Sequence, residues 1–170
     1  AYKYLTCLAL AVTSLSACTD LDENLYSEIG SNNYFNTRDD VIAMAFRSFE
    51  HGYWTIVPRF RINELPADQL IIPRRDGSWD DGGVWCQFHY HTWTPDISRH
   101  VHDEWDSQFA GIAQANFAID RFDELDPKKF DFQEDEWNAL KMQNKVLRCW
   151  YYLRLLDAFR NVPFCISYDD

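Results

Sequence analysis

Apolar residues along this chain fall into one short uncharged run, three stretches with helical spacing, and one long stretch with neither pattern. From about Arg38 to His51, the residues Val41, Ala45 and Phe49 recur at i, i+4 and i+8, which predicts a helix. Thr37 reads as its N-cap with Asp40 three residues on, close to a capping box, and Gly52 reads as its end. A second helix is predicted from about Glu104, capped by Asp103, with Trp105, Phe109, Ile112, Ile119 and Phe122 on one face. Pro127 lies just beyond its end. Asn116 falls within that stripe, and a buried Asn must find partners, so its expected role is to hold a neighbouring backbone. A third helix is predicted from about Phe132 to Phe159, with Asp131 and Glu134 as a capping box. Its first half is amphipathic, through Trp137, Leu140 and Asn144. Its second half, Val146 to Phe159, is apolar almost all round, with Arg148, Arg154 and Asp157 as exceptions.

A helix apolar on every side is buried among other elements. Two further helices are too few to cover it, so the expectation is a piece of a longer protein that does not fold cooperatively alone. Residues 53–102 carry no helical periodicity. They hold Pro58, Pro66, Pro73 and Pro95, the glycines Gly77, Gly82 and Gly83, and Trp54, Trp79, Trp85 and Trp93. Irregular stretches of this length are usually functional or disordered, and so many aromatic residues argue against disorder. Function is therefore expected there.

The uncharged run, Leu5 to Leu15, follows Lys3 and precedes Leu15-Ser16-Ala17-Cys18. A basic residue, a short apolar segment and small residues before a cleavage point are the grammar of a secretory signal, and the run is too short to span a bilayer. The motif resembles a bacterial lipobox, which implies cleavage after residue 17 and lipidation of Cys18. The polar, acidic residues 18–33 then read as a tether, and 34–170 as the folded part. The formal charge of −11 argues against nucleic-acid partners and polybasic membrane binding. With Cys7 and Cys18 assigned to signal and lipid, Cys86, Cys149 and Cys165 remain. That is neither a disulfide framework nor a metal spacing, and Cys149 reads as a small buried hydrophobe.

Several segments together resemble the SusD-like (SusD/RagB) family of outer-membrane lipoproteins of the Bacteroidetes. They are Ala67-Asp68-Gln69, Ile72-Pro73-Arg74, Trp79-Asp80-Asp81-Gly82-Gly83-Val84-Trp85 and His89-Tyr90-His91-Thr92-Trp93. The likeness continues through Trp105, Gly111-Ile112, Ala115-Asn116, Ile119-Asp120, Lys145-Val146-Leu147-Arg148, Trp150-Tyr151-Tyr152-Leu153 and Asn161-Val162-Pro163. Departures fall at Gln143, Cys149 and Arg160, where the family has Glu, Ala and Gly; Asn161 is expected to take the helix-closing conformation in place of that Gly. The resemblance implies an all-α fold of tetratricopeptide-like helix pairs with a long irregular Trp-rich insertion, of which this chain is the N-terminal part. It implies glycan capture at the outer membrane, partnership with a TonB-dependent SusC-like transporter, no catalysis and no cofactor.

Trp79 and Trp85 flank Asp80, Asp81, Gly82 and Gly83, with Arg74 and Arg75 shortly before. A pyranose packs its C–H face on an indole, and its hydroxyl groups seek carboxylate and guanidinium partners. These six side chains are the glycan-binding candidates; the alternative is that the rings anchor a long loop to the core, the role expected of Trp54 and Trp93. The H-x-H pairs His89/His91 and His100/His102 could place imidazoles on one face for zinc, but no third ligand follows. The resemblance implies that His89 and His91 are structural. Asp80 and Asp81 could be paired carboxylates of a glycosidase, but adjacent residues diverge, and such pairs stand ~5–10 Å apart across a sugar. A secreted glycoside hydrolase or metal-dependent hydrolase, and a helical-repeat lipoprotein that binds only another protein, remain the competing classes.

Overall fold

Helix α1 (Arg38–Trp54) begins where Thr37 and Asp40 satisfy each other. The Thr37 hydroxyl accepts the Asp40 N–H, and the Asp40 carboxylate accepts the backbone N–H groups of Asn36 and Thr37 at 3.0 and 2.7 Å. Those two backbone donors hold the Asp40 carboxyl below its ordinary pKa. The computed structural model describes residues 34–94 and 99–169; the 1–17 signal, Cys18 and the 18–33 tether lie outside the described residues. Those described are mostly helical: after α1 come α2 (Ile56–Glu64), α3 (Val84–His89), α4 (Arg99–Glu124) and α5 (Glu134–Phe159). Among them there is no strand, only one isolated bridge between Arg75 and Ser78. None of the described helices is long and apolar enough to cross a membrane. The protein is all-α.

Gly52 does not end α1. It is buried inside the helix, and a Cβ there would meet the Tyr151 hydroxyl at 3.3 Å and the Trp150 ring at 3.5 Å. The break comes at Thr55, because Pro58 has no N–H to give the Trp54 carbonyl. The chain resumes at once as α2, where Pro58 falls in the first turn and its missing donor costs least. The stretch 53–102 therefore contains α2, α3 and the start of α4, contrary to the aperiodic reading. Likewise α4 starts at Arg99, so Asp103 lies inside it rather than capping it. Asp131 does not cap α5 either. It closes the 3-10 turn Pro127–Phe130 at φ 56°, and Gln133 occupies the α5 N-cap without a side-chain bond.

Contacts fix an up-down-up arrangement. Phe122 meets Trp137 near one end of the α4–α5 hairpin and Trp105 meets Phe159 near the other, so α4 and α5 are antiparallel. Ser48 bonds Asn144, Thr55 bonds Arg154, and Arg59 pairs with Asp157, so α1 and α2 run parallel to α5. Arg38 joins the two starts by donating to the Asp131 carbonyl and pairing with Glu136. The lower core gathers Phe35, Val41, Met44, Ala45, Ala118, Phe122, Phe130, Phe132 and Trp137, whose indole N–H donates to the Phe122 carbonyl at 3.0 Å. Higher up, Tyr151 is fully buried against α4, and its hydroxyl donates to the Ser48 carbonyl at 2.5 Å. Burial pushes its pKa up to about 12. The helices approach closely there only because position 111 is glycine: a Cβ on Gly111 would overlap the Tyr151 ring.

Contrary to the expectation that it is buried all round, the second half of α5 is buried on one face only. Helices α1, α2 and α4 cover that face, so the ground for expecting no cooperative folding falls away. Tyr151, Tyr152 and Leu155 turn inward, while Val146 and Leu153 are 67 % and 65 % exposed and Leu156 is also exposed. Cys149 lies on that outer side and is exposed, not buried as its apolar neighbours suggested. Trp54 is exposed too, its N–H donating to Glu50, and Trp93 is also exposed, although one side of its ring lies 5.7 Å from that of Phe88. Arg160 itself takes the positive φ (65°) that closes α5, not Asn161.

The buried Asn116 does hold backbone, as its place in the stripe implied. Its Nδ2 donates to the carbonyls of Cys165 and Ser167, and its Oδ1 accepts from Arg148. Arg148 also donates to the Ile166 carbonyl, and Asp120 accepts from Ser167 and Tyr168. The segment after α5 is thereby strapped back across the α4–α5 hairpin.

Candidate functional site

The irregular segment between α2 and α4 is docked on its own small core. Leu65, Val84 and Phe88 are buried there, packed with Ile62, Leu70, Ile72, Trp85 and Val101. Val84 and Phe88 are i and i+4 on α3, so even six residues of helix present one apolar edge inward. Ahead of α3 the chain turns tightly. Gly82 and Gly83 have φ of 71° and 88°, which glycine adopts without a Cβ penalty, and the Gly83 N–H donates to the Asp80 carbonyl at 2.7 Å.

Of the six residues proposed from the sequence, this turn gathers five at the surface. Trp79 is 67 % exposed, and the Arg75 guanidinium lies 5.5 Å from its ring centroid. Arg74 pairs with Asp80 at 2.7 Å. Asp81 turns the other way, to His100 at 3.3 Å and Arg99 at 3.6 Å. The two carboxylates thus serve different partners, as adjacent residues must. A pocket of about 410 Å³ opens between Arg74, Asp80, Gly82, Gly83 and Cys86.

Trp85 stands apart from this group. It is half-buried, stacked on the His100 ring at 4.5 Å and 21°, with the Arg61 guanidinium 5.4 Å from its centroid. Its ring anchors the loop to α2 and α4, the role that competes with ligand binding. In the sequence His100 stands out only as half of an H-x-H pair. In the fold it is buried, with Asp81 on one nitrogen and Asp103 at 3.4 Å from the other. The signal for it was its place one turn before Asp103 and Glu104, legible only once α4 is known to start at Arg99. His89 faces Asp68 at 3.4 Å. Among the described residues, no three His, Cys, Asp or Glu side chains gather as metal ligands.

A second polar group sits inside the bundle, at the α1–α2 joint. Arg154 donates to the Thr55 hydroxyl at 2.7 Å and to its carbonyl at 3.3 Å, holding the helix break. Arg59 reaches Glu104 at 3.6 Å and also pairs with Asp157. Glu104 is fully buried, and Gln108 donates to it at 3.2 Å. Burial raises the Glu104 pKa, against the opposing pull of Arg154, Arg59 and the Gln108 bond. Burial also lowers the pKa of Arg154. This cluster is closed to solvent on the Glu104 side, and its geometry is that of a joint rather than a ligand site.

No protein-family model, curated protein or solved structure matches the chain.

Proposed function

We propose that the protein captures glycans at the bacterial outer-membrane surface and hands them to a TonB-dependent SusC-like transporter, held to the membrane by lipid on Cys18. The observation that carries the reading is Trp79: a large indole left exposed just past a tight turn, with the Arg75 guanidinium 5.5 Å from its ring centroid and the Arg74–Asp80 pair formed by its close neighbours in sequence. An exposed apolar ring with a guanidinium against it suits a pyranose, which is apolar on its C–H faces and polar at its edge. The lipobox-like Leu15-Ser16-Ala17-Cys18 and the resemblance to SusD-like proteins support the surface location and the transporter partner. The tetratricopeptide-like pairing of helices belongs to the same reading.

The test is glycan binding by the full chain, measured by calorimetry over a panel of oligosaccharides. Trp79→Ala should weaken binding by about 1–3 kcal/mol, as for a central aromatic anchor. It should leave the melting temperature close to that of the wild type, because the ring is exposed. Unchanged affinity would move the site elsewhere. A separate assay addresses the anchor: in a Bacteroidetes host the wild type should take up a palmitate analogue and sediment with membranes. Equal labelling of Cys18→Ala would overturn that part.

A further inference from the structure

We infer that the Trp79 turn is built for sugars that carry a carboxylate, so that the ligand is an acidic glycan; this rests on the glycan reading above. Residues Arg75 to Ser78 close a two-residue turn, with the Arg75 N–H donating to the Ser78 carbonyl at 3.0 Å and the Ser78 N–H donating back at 2.7 Å. Asp76 and Gly77 between them have φ of 45° and 79°, the type I′ geometry that Asp-Gly favours. The turn therefore fixes Arg75 at its start and Trp79 just past its end. Trp79 has φ 69°, a conformation rare for a bulky residue, and such outliers concentrate at ligand clamps and active sites.

Charge pairing separates the three arginines near this turn. Arg74 is matched by Asp80 at 2.7 Å and Arg99 by Asp81 at 3.6 Å. Arg75 has no carboxylate within ion-pair distance among the described residues, and its guanidinium lies over the exposed indole, 5.5 Å from the ring centroid. A neutral pyranose needs the ring and hydroxyl partners alone. A guanidinium adds a planar fork of donors that fits a carboxylate through two parallel hydrogen bonds. A uronic-acid residue with its C–H face on Trp79 and its carboxylate on Arg75 uses both groups. The formal charge of −11 opposes an anionic ligand at long range. That repulsion is screened beyond ~8 Å at physiological ionic strength, so the contact at Arg75 decides the preference.

The experiment compares a β-1,4-linked oligoglucuronate with a cello-oligosaccharide of equal length, which differ only at C6, on the full chain by calorimetry. The wild type should bind the oligoglucuronate roughly tenfold more tightly or better, and less so as salt rises. Arg75→Gln should bring the ratio of the two affinities close to one. Arg75→Lys should leave an intermediate ratio, because an ammonium is a point charge rather than a fork. A wild type that binds the two oligomers equally, or an Arg75→Gln chain that keeps the preference, overturns the inference while the glycan reading stands. Binding of neither oligomer, nor of any in the wider panel, overturns both.

Discussion

Gly111→Ala should destabilise the chain by about 3 kcal/mol, the upper end for an overpacked core, and lower its melting temperature by roughly 10 °C. Two effects compete at this position. Alanine favours the helical backbone over glycine by about 1 kcal/mol. Against that, the added Cβ would overlap a Tyr151 ring that is fully buried and tied by its hydroxyl to Ser48. The ring cannot swing aside without giving up that bond, so α4 and α5 must part and the packing term wins. A Gly111→Ala chain that melts with the wild type, or above it, would show that the close approach of α4 and α5 is not what holds the bundle.

Arg59→Met should cost about 3 kcal/mol near pH 8, the lower end for breaking a buried ion pair, because Arg154 remains near Glu104. Methionine keeps most of the apolar stem and removes the charge. The deficit should shrink as the pH falls. Glu104 already has a raised pKa, so the folded chain binds its proton more tightly than the unfolded chain does. A carboxyl of that kind detracts from stability at pH values above its folded pKa. The penalty is relieved as the pH drops through that value toward the ordinary 4.5. Removing Arg59 takes away one of the charges that restrain the shift, so the variant gains more from acidification than the wild type. Urea denaturation at about pH 8 and about pH 5 measures the difference. A deficit that is equal at both values, or larger in acid, would mean that Glu104 is not the group Arg59 serves.

What the sequence disclosed follows physical lines. The Thr37–Asp40 box was legible because capping is local and uses few residue types. Asn116 was legible because a polar residue within an apolar stripe must have a partner. Helix α2 was hidden because its register has no apolar stripe to find: none of its residues is fully buried, and its inward contacts are split among Arg59, Arg61 and the half-buried Ile62. The start of α4 was hidden for a related reason. Its inward positions there are His100, Glu104 and Gln108, which a hydrophobic count passes over. In the candidate site, exposed Trp79 and anchoring Trp85 could not be told apart from composition. The distinction depends on His100, which comes to Trp85 from a different element.

The run of positive φ angles at Asp76, Gly77, Trp79, Asp81, Gly82 and Gly83 has a thermodynamic meaning for recognition. Non-glycine residues in such conformations persist only where the surroundings over-determine them. Here the paired backbone bonds of Arg75 and Ser78 and the grip of Arg74, Arg99 and His100 on Asp80 and Asp81 do so. The backbone ordering cost of this loop is therefore met when the chain folds. A ligand arriving at Trp79 meets a preset backbone and has mainly its own freedom and that of a few side chains to give up, so even a small contact area can hold it.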